Sequence, residues 1–518
     1  MILNQGQYNT ASNLVPDLYV TIVPPQTYLI PGASTNIIGV VGTAAWGPVN
    51  QPVTVSDMPS YALTFGSPVA RKYDAGTQVA VAVLQGANNF RIVRVTDGSD
   101  TAASSTGVAT CCTFAARYTG TAGNALQVSL SAGSKASSWK AMVGVPGGQP
   151  EIFDNIVGTG NAFWVALANA INKGTGGRRG PSSLIVATAA AGTTAPSAAT
   201  FTFSGGTDGA AVTSAQLVGV DAVQRTGIYA LRSQGCSLLV PADLDDPTKW
   251  TTVDALAGPE AMEAILTGPS GDTIANAITA KQTAGLDTYA CKLMFGDWLW
   301  WYDPFNQVSR YVSPQGFAAG RLANLSPEQS ALNKALYGIA GSQKSASTLA
   351  TYSLAEIQQL QNAGIDVITN PGGGGLSMWT CRIGHNSSSS ADVCGDWYTR
   401  LTNFIATSLD RGMGVYLGRP INNDLVRQAK ATVCAFLQGL VGQRMLGQDY
   451  DDGGLPFSVV CGIGPGTNNP PERVKLGFFQ IDVQVQYQAI NERFIINMEG
   501  GQTVTVTRQT LQSGQVTV

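Results

Sequence analysis

Histidine is almost missing from this sequence: there is one, His385, in 518 residues. Any Ser/His/Asp or Cys/His nucleophilic centre would have to be assembled around that single ring. Its setting is polar and serine-rich, IGHNSSSSADV, and reads as a surface loop. Charge is also scarce, at 12% of residues against about 25% in an ordinary soluble protein. With 30 basic and 33 acidic residues the net charge is −3, so no global field exists to hold nucleic-acid phosphates or an anionic membrane. Neither a nucleic-acid partner nor direct membrane insertion is expected. No apolar run approaches the ~20 residues that span a bilayer, and the opening MILNQGQYNTASN has no basic stretch followed by an apolar one, which predicts a soluble protein made in the cytoplasm. A surface this poor in charge points to burial against other subunits; the alternative is a neutral, Gly/Ser/Thr-rich polar surface.

Among the eight cysteines no CxxC pair occurs, which argues against a zinc ribbon and a thioredoxin-like motif. Cys381, His385 and Cys394 supply three ligands without a fourth, so no metal site is expected, and no cofactor. The run Gly372–Gly375 lacks the GK[ST] of a phosphate loop and reads as a turn, as does the Gly-rich stretch around Asp451 and Asp452. Cys236, Cys434 and Cys461 lie in apolar segments and read as small hydrophobes. Cys111 and Cys112 precede a Gly/Ser/Thr-rich region expected to be exposed, and are candidates for a disulfide between subunits.

What is present is periodicity. The chain opens on a polar arm with a strand-like DLYVTIV closed by Pro24 and Pro25, followed by β-rich runs alternating with a helix near Gly76 to Leu84. Composition then shifts. Between Thr101 and Gly205 eight residues are charged, and short strands separated by turn residues predict an ordered β-rich insertion, with Trp139, Phe153, Phe163, Trp164, Phe201 and Phe203 as core material. After Ala215 an α/β alternation returns: a helix over AQLVGVDAVQRTGIYALRSQG, apolar strands, and a helix near Thr273 to Thr283. From Asp396 to Arg411 a helical stripe carries Trp397, Leu401, Phe404, Ile405 and Leu409, with Gly412 as its stop. Asn422 or Asn423 then caps a longer helix burying Leu425, Ala429, Val433, Phe436, Leu437 and Leu440. Residues 479–489 alternate strictly, apolar Phe479, Ile481, Val483, Val485, Tyr487 and Ala489 against polar neighbours, and predict a half-buried antiparallel strand. The tail TVTVTRQTLQSGQVTV has β-formers but too few large apolar groups for a core of its own, so it needs a sheet edge to pair with. Unfinished segments at both ends of one chain point to strand exchange between copies.

Several segments, in order, resemble the tail sheath family of contractile phages: IPGASTNIIGVVGTAAWGPVNQPVTVSDMPSYALTFGS with NNFRIVRVTDG, then WLWWYDPFNQVSRYVSPQGFAAGRLANL, AGIDVITNPGGGGLSMWTCRIG and GTNNPPERVKLGFFQIDVQVQ. The resemblance spans most of the chain and leaves out Thr101 to Gly205 and the last fifteen or so residues. It implies an α/β (α+β) core of mixed sheets and flanking helices, with an inserted β-rich outer domain and extended terminal arms. On that reading 1–24 is an N-terminal arm, 25–100 and 206–394 form the core, and 101–205 is the insertion. Residues 395–490 then form an inner, tube-facing domain and 491–518 a C-terminal strand and arm. The resemblance further implies stacked hexameric rings around a tail tube protein, baseplate and tail terminator partners, a place in the virion after assembly in the host cytoplasm, and contraction by rearrangement of subunits. The inter-subunit arms would carry Leu18, Tyr19, Val20, Ile22, Phe494, Ile495, Ile496, Val504 and Val506; Arg427 and Lys430 would face the tube.

Besides a secreted β-rich adhesin, disfavoured by the lack of an export signal in the sequence, two other readings compete. One is the sheath of a type VI or extracellular contractile injection system, of the same mechanical class. The other is a cysteine hydrolase pairing His385 with Cys381 or Cys394. Replacing His385 by alanine is expected to separate them, since an enzyme would lose activity and a sheath would still assemble.

Overall fold

In the computed structural model the described residues are 2–4, 20–22, 29–108, 110–176, 179–348, 351–447, 454–496 and 498. The body is built on a six-stranded sheet with the spatial order Cys291–Met294, Glu263–Thr267, Leu238–Pro241, Ile38–Gly42, Phe90–Arg94 and Val53–Val55. All neighbours are parallel except the last pair. The first strand of the sheet lies in its middle; the chain then runs to the edge at Val53–Val55, returns to Phe90–Arg94 between them, and adds the remaining strands outward on the other side.

Both faces are covered, which is why the strands read as apolar runs without alternation. Ile38, Val40, Phe90, Ile92, Leu238, Val240 and Ile265 pack against the helices Ala75–Leu84 and Gln315–Ala323. From the opposite face Val41, Val93, Leu239, Ala264, Leu266 and Leu293 meet Trp250, Val253, Leu256 and Leu360. The predicted helix near Gly76 to Leu84 is observed as Ala75–Leu84, and that near Thr273 as Ile274–Ala284 with Thr273 as its N-cap. The long helix expected over 215–235 is corrected: two short pieces form, Ser214–Val218 and Gly227–Leu231. Gly219 closes the first by donating its N–H to Ala215, and an exposed excursion follows.

Between 101 and 207 the chain forms a four-stranded and a three-stranded antiparallel sheet and a 13-residue helix, Asn161–Lys173, around a core of its own. The helix was not expected from the β-rich composition. Phe153, Phe163, Trp164 and Phe203 are buried there, while Trp139 and Phe201 are partly so. This region leaves and re-enters through a narrow stem, with Thr101 and Thr207 exchanging backbone hydrogen bonds, as do Ser104 and Ser204. Buried Arg94 clasps the stem to the body through the carbonyls of Gly47 and Thr119, each at 2.8 Å.

The exposure expected for Cys111 and Cys112 is corrected. Both are fully buried in this core, where β pairing covers them and burial lifts the Cys112 thiol to about 11. The eight cysteines are free thiols; Cys236 is buried, whereas Cys434 and Cys461 are half-buried.

Candidate functional site

Two places gather the candidate side chains: a C-terminal layer with a two-stranded sheet, and the polar joint that fastens it to the body. The layer rests on the helix Asp396–Met413 and the long helix Asn423–Gly442. Asn422 caps the latter, its side chain accepting from Leu425 N–H at 2.9 Å. The six expected buried positions of the long helix are all buried. Val433, Phe436, Leu437 and Leu440 pack against Leu401 and Ile405 of the first helix, with Phe404 and Leu409 half-buried, while Leu425 and Ala429 pack with Tyr416. Gly412 does not stop that helix, which runs on to Met413. A Cβ at Gly412 would stand 2.6 Å from Ile30, so glycine serves here to let the N-terminal segment approach the helix.

Against these helices lies a two-stranded antiparallel sheet, Phe457–Val460 with Asp482–Val485. The strand expected over 479–489 is thus corrected to four residues, because the partner strand offers only four to pair with. Both outer edges of this pair carry no further strand among the described residues. Unpaired edge groups are a template for another strand.

Of the residues expected to mesh subunits, Val20 and Ile22 lie in a three-residue strand that pairs in parallel with Ile2–Asn4 of the same chain. Phe494, Ile495 and Ile496 follow the layer and are 79%, 80% and 74% exposed. Leu18, Tyr19, Val504 and Val506 lie outside the described residues, as do Asp451 and Asp452. Arg427 and Lys430 are on the exposed face of the long helix, and Arg427 pairs with Asp424 one turn before it.

The joint is a buried ionic cluster that sequence reasoning missed. Lys292, in a strand of the main sheet, reaches Asp366 at 2.6 Å, the His385 carbonyl at 3.0 Å and Asp396, the first residue of the Asp396–Met413 helix, at 3.2 Å. All three charged side chains are fully buried. Asp366 also accepts backbone N–H groups from Val367, Ile383 and Gly384. Burial works against the Lys292 charge, but the two carboxylates outweigh it and hold the ammonium above the ordinary lysine range. Glu263 lies in the same cluster with neither carboxyl oxygen hydrogen-bonded. Burial, and then the Asp396 charge, push it up to about 8, against the opposing pull of Lys292 and Arg400. Arg400 itself donates to the Leu325 and Ser326 carbonyls. The signal was present: single charges inside the apolar runs AMEAILT, CKLMF and AGIDVIT.

His385 is corrected from surface loop to buried residue, at 7% exposure. Its Nε2 stands 3.0 Å from Glu492 and 4.0 Å from the Cys394 sulfur, beside an open groove of about 710 Å³. This geometry does not support the hydrolase reading. A relay needs the thiol on one ring nitrogen and the acid on the other, whereas both neighbours here share Nε2. The thiol is moreover raised, by burial and then by Glu492, where a nucleophile needs it lowered. Cys381 is fully buried, and its thiol too is raised by burial. Among the described residues no group of three or more His, Cys, Asp or Glu is placed to hold a metal, and no helix is long and apolar enough to cross a membrane. The crevice beyond the carboxyl ends of the central strands, where open α/β sheets hold ligands, contains Gln78, Asp243, Ser313 and Gln315 bonded to one another.

No protein-family model and no curated protein matches the sequence. Solved structures do, and they define the class: this is the fold of contractile sheath proteins. Specifically, the sheath tail protein of Listeria innocua matches with a TM-score of 0.60 at 13% identity, over 83% of this chain and 89% of that one. The sheath tail protein of Desulfitobacterium hafniense gives 0.56 at 14%, over 86% and 93%. The PVC sheath complex of an extracellular contractile injection system, in its contracted state, gives 0.54 at 13%, over 94% and 98%.

Proposed function

We propose that this chain is the structural subunit of a contractile phage tail sheath, working by assembly and rearrangement and not by catalysis. The observation that carries the reading is the two-stranded C-terminal sheet, whose edges carry no further strand among the described residues, in a chain whose segment beyond it exposes Phe494, Ile495 and Ile496. An apolar, β-forming segment that buries nothing in its own chain gains most by pairing with such an edge on another copy. On this reading subunits form stacked hexameric rings around a tail tube, joined by arms at 1–24 and 491–518. Arg427 and Lys430 face the tube, the 101–205 region lies outside, and baseplate and terminator proteins close the ends. The energy of contraction resides in the difference between two packings of the same subunits, so no hydrolytic site is needed. The tail belongs to a virion assembled in the host cytoplasm.

A second reading, the sheath of an extracellular injection system, is favoured by the 94% of the chain matched by the PVC sheath. Electron microscopy of native particles separates the two by the presence or absence of a head. For the sheath role itself, negative-stain microscopy of the purified full chain is expected to show tubes of stacked rings, and removal of 1–24 and 491–518 is expected to abolish them. Normal cylinders from the doubly trimmed chain, or an intact chain that stays monomeric at every concentration, would overturn it.

A further inference from the structure

The C-terminal segment departs from the body under close control. Up to Tyr487 the chain is held by its pairing with Leu446 and by the Tyr487 hydroxyl on Thr402 at 3.0 Å. Beyond it, among the described residues, one hydrogen bond ties the segment to the rest: His385 Nε2 to Glu492 Oε1, 3.0 Å. The His385 end of this tie is rigid. Its carbonyl accepts from Lys292, its backbone bridges Gly395, and the next residue, Asn386, spends its side-chain amide on Val393, Gly395 and Thr399. The ring is thus fixed to the buried ionic cluster, while Glu492 stands two residues before the exposed Phe494–Ile495–Ile496 run. The hydrogen bond from His385 holds the Glu492 carboxyl below its ordinary range despite partial burial, so the charged form is favoured where it stands.

We propose that His385 is a positioning residue: by holding Glu492 it sets the point and direction from which the apolar C-terminal segment leaves the subunit toward a second copy. The inference rests on the sheath reading for what the segment does, but not for the contact itself. A segment leaving from a fixed root pays less ordering entropy on pairing with a neighbour than one free to swing. It also revises the expectation that a His385→Ala sheath would assemble as before.

Trypsin reads the contact, because Arg493 directly follows Glu492 in an exposed stretch and its peptide bond is cleaved faster where the tie to His385 is open. In the full-length chain, His385→Ala and Glu492→Ala are each expected to speed cleavage after Arg493 by about fivefold to tenfold, and the double variant no further. The Glu492 side chain is 33% exposed and belongs to none of the apolar cores, so its replacement leaves them intact and an unfolded His385→Ala would not spoil the test. His385→Gln, whose amide can still donate to the carboxylate, is expected to restore the rate to within about twofold of wild type. The alanine variants are also expected to form fewer and shorter tubes than wild type. Unchanged cleavage in Glu492→Ala overturns the contact as an anchor, and equal tubes from all variants overturn its part in assembly. A wild-type chain that forms no tubes sinks the sheath reading instead, while the cleavage rates still decide the anchor.

Discussion

Glu263 shows how strongly the fold sets the charge of one residue. A carboxyl raised to about 8 in the folded chain, against about 4.3 in an unfolded one, takes up a proton on folding. Its contribution to stability is therefore whole below about pH 4 and is lost as pH climbs through about 8, at about 1.4 kcal/mol per unit within that window. Glu263→Gln is expected to flatten the fall in the denaturation midpoint between about pH 5 and 8, and to leave the variant more stable than wild type at about pH 9. Parallel pH profiles for the two proteins would show that another group carries the dependence. Glu263, Lys292 and Asp366 were visible in the sequence as lone charges in apolar runs, whereas Asp396 opens a helix. Their partnership was not, because Lys292, Asp366 and Asp396 come from three separate elements.

The two C-terminal helices, set by local periodicity, were read correctly, whereas the helix drawn over 215–235 broke at Gly219, the Asn161–Lys173 helix was missed, and strand length set by a partner was misjudged. The long helix Asn423–Gly442 shows its cap and its whole buried face in the sequence, since a 3.6-residue repeat needs no information from elsewhere. The strand drawn over 479–489 shrank to Asp482–Val485 because strand length is decided by what lies alongside. Close helix contact was equally hidden. The Gln315–Ala323 helix presses against Ala75–Leu84 so tightly that a Cβ at Gly320 would lie 2.6 Å from the backbone of Ala82. Gly320→Val is expected to cost about 1–3 kcal/mol in chemical denaturation by forcing these helices apart. A variant as stable as wild type would mean that the pair separates freely.

At the scale of the molecule, the body and the region between 101 and 207 have separate cores joined through a stem of paired strands, with Trp46 reaching from one into the other. Replacing residues 102–206 by a short glycine linker, with Trp46→Ser to cover the exposed ring, is expected to leave a chain that unfolds cooperatively and still forms tubes. Loss of cooperative unfolding would show that the body depends on this region. Loss of tubes alone would place the region in the subunit mesh and not outside it.

The sequence by itself determined the α/β class, the compositional break at Thr101, the two C-terminal helices and the lack of material for histidine-based chemistry, because composition and periodicity are local properties. Only the tertiary structure decided that His385 is buried on Glu492, that Cys111 and Cys112 are core, and that Asp366 and Asp396 meet on Lys292. Each of these depends on residues far apart in the chain being brought within a few ångströms, and no spacing along one segment records which distant segment will lie against it.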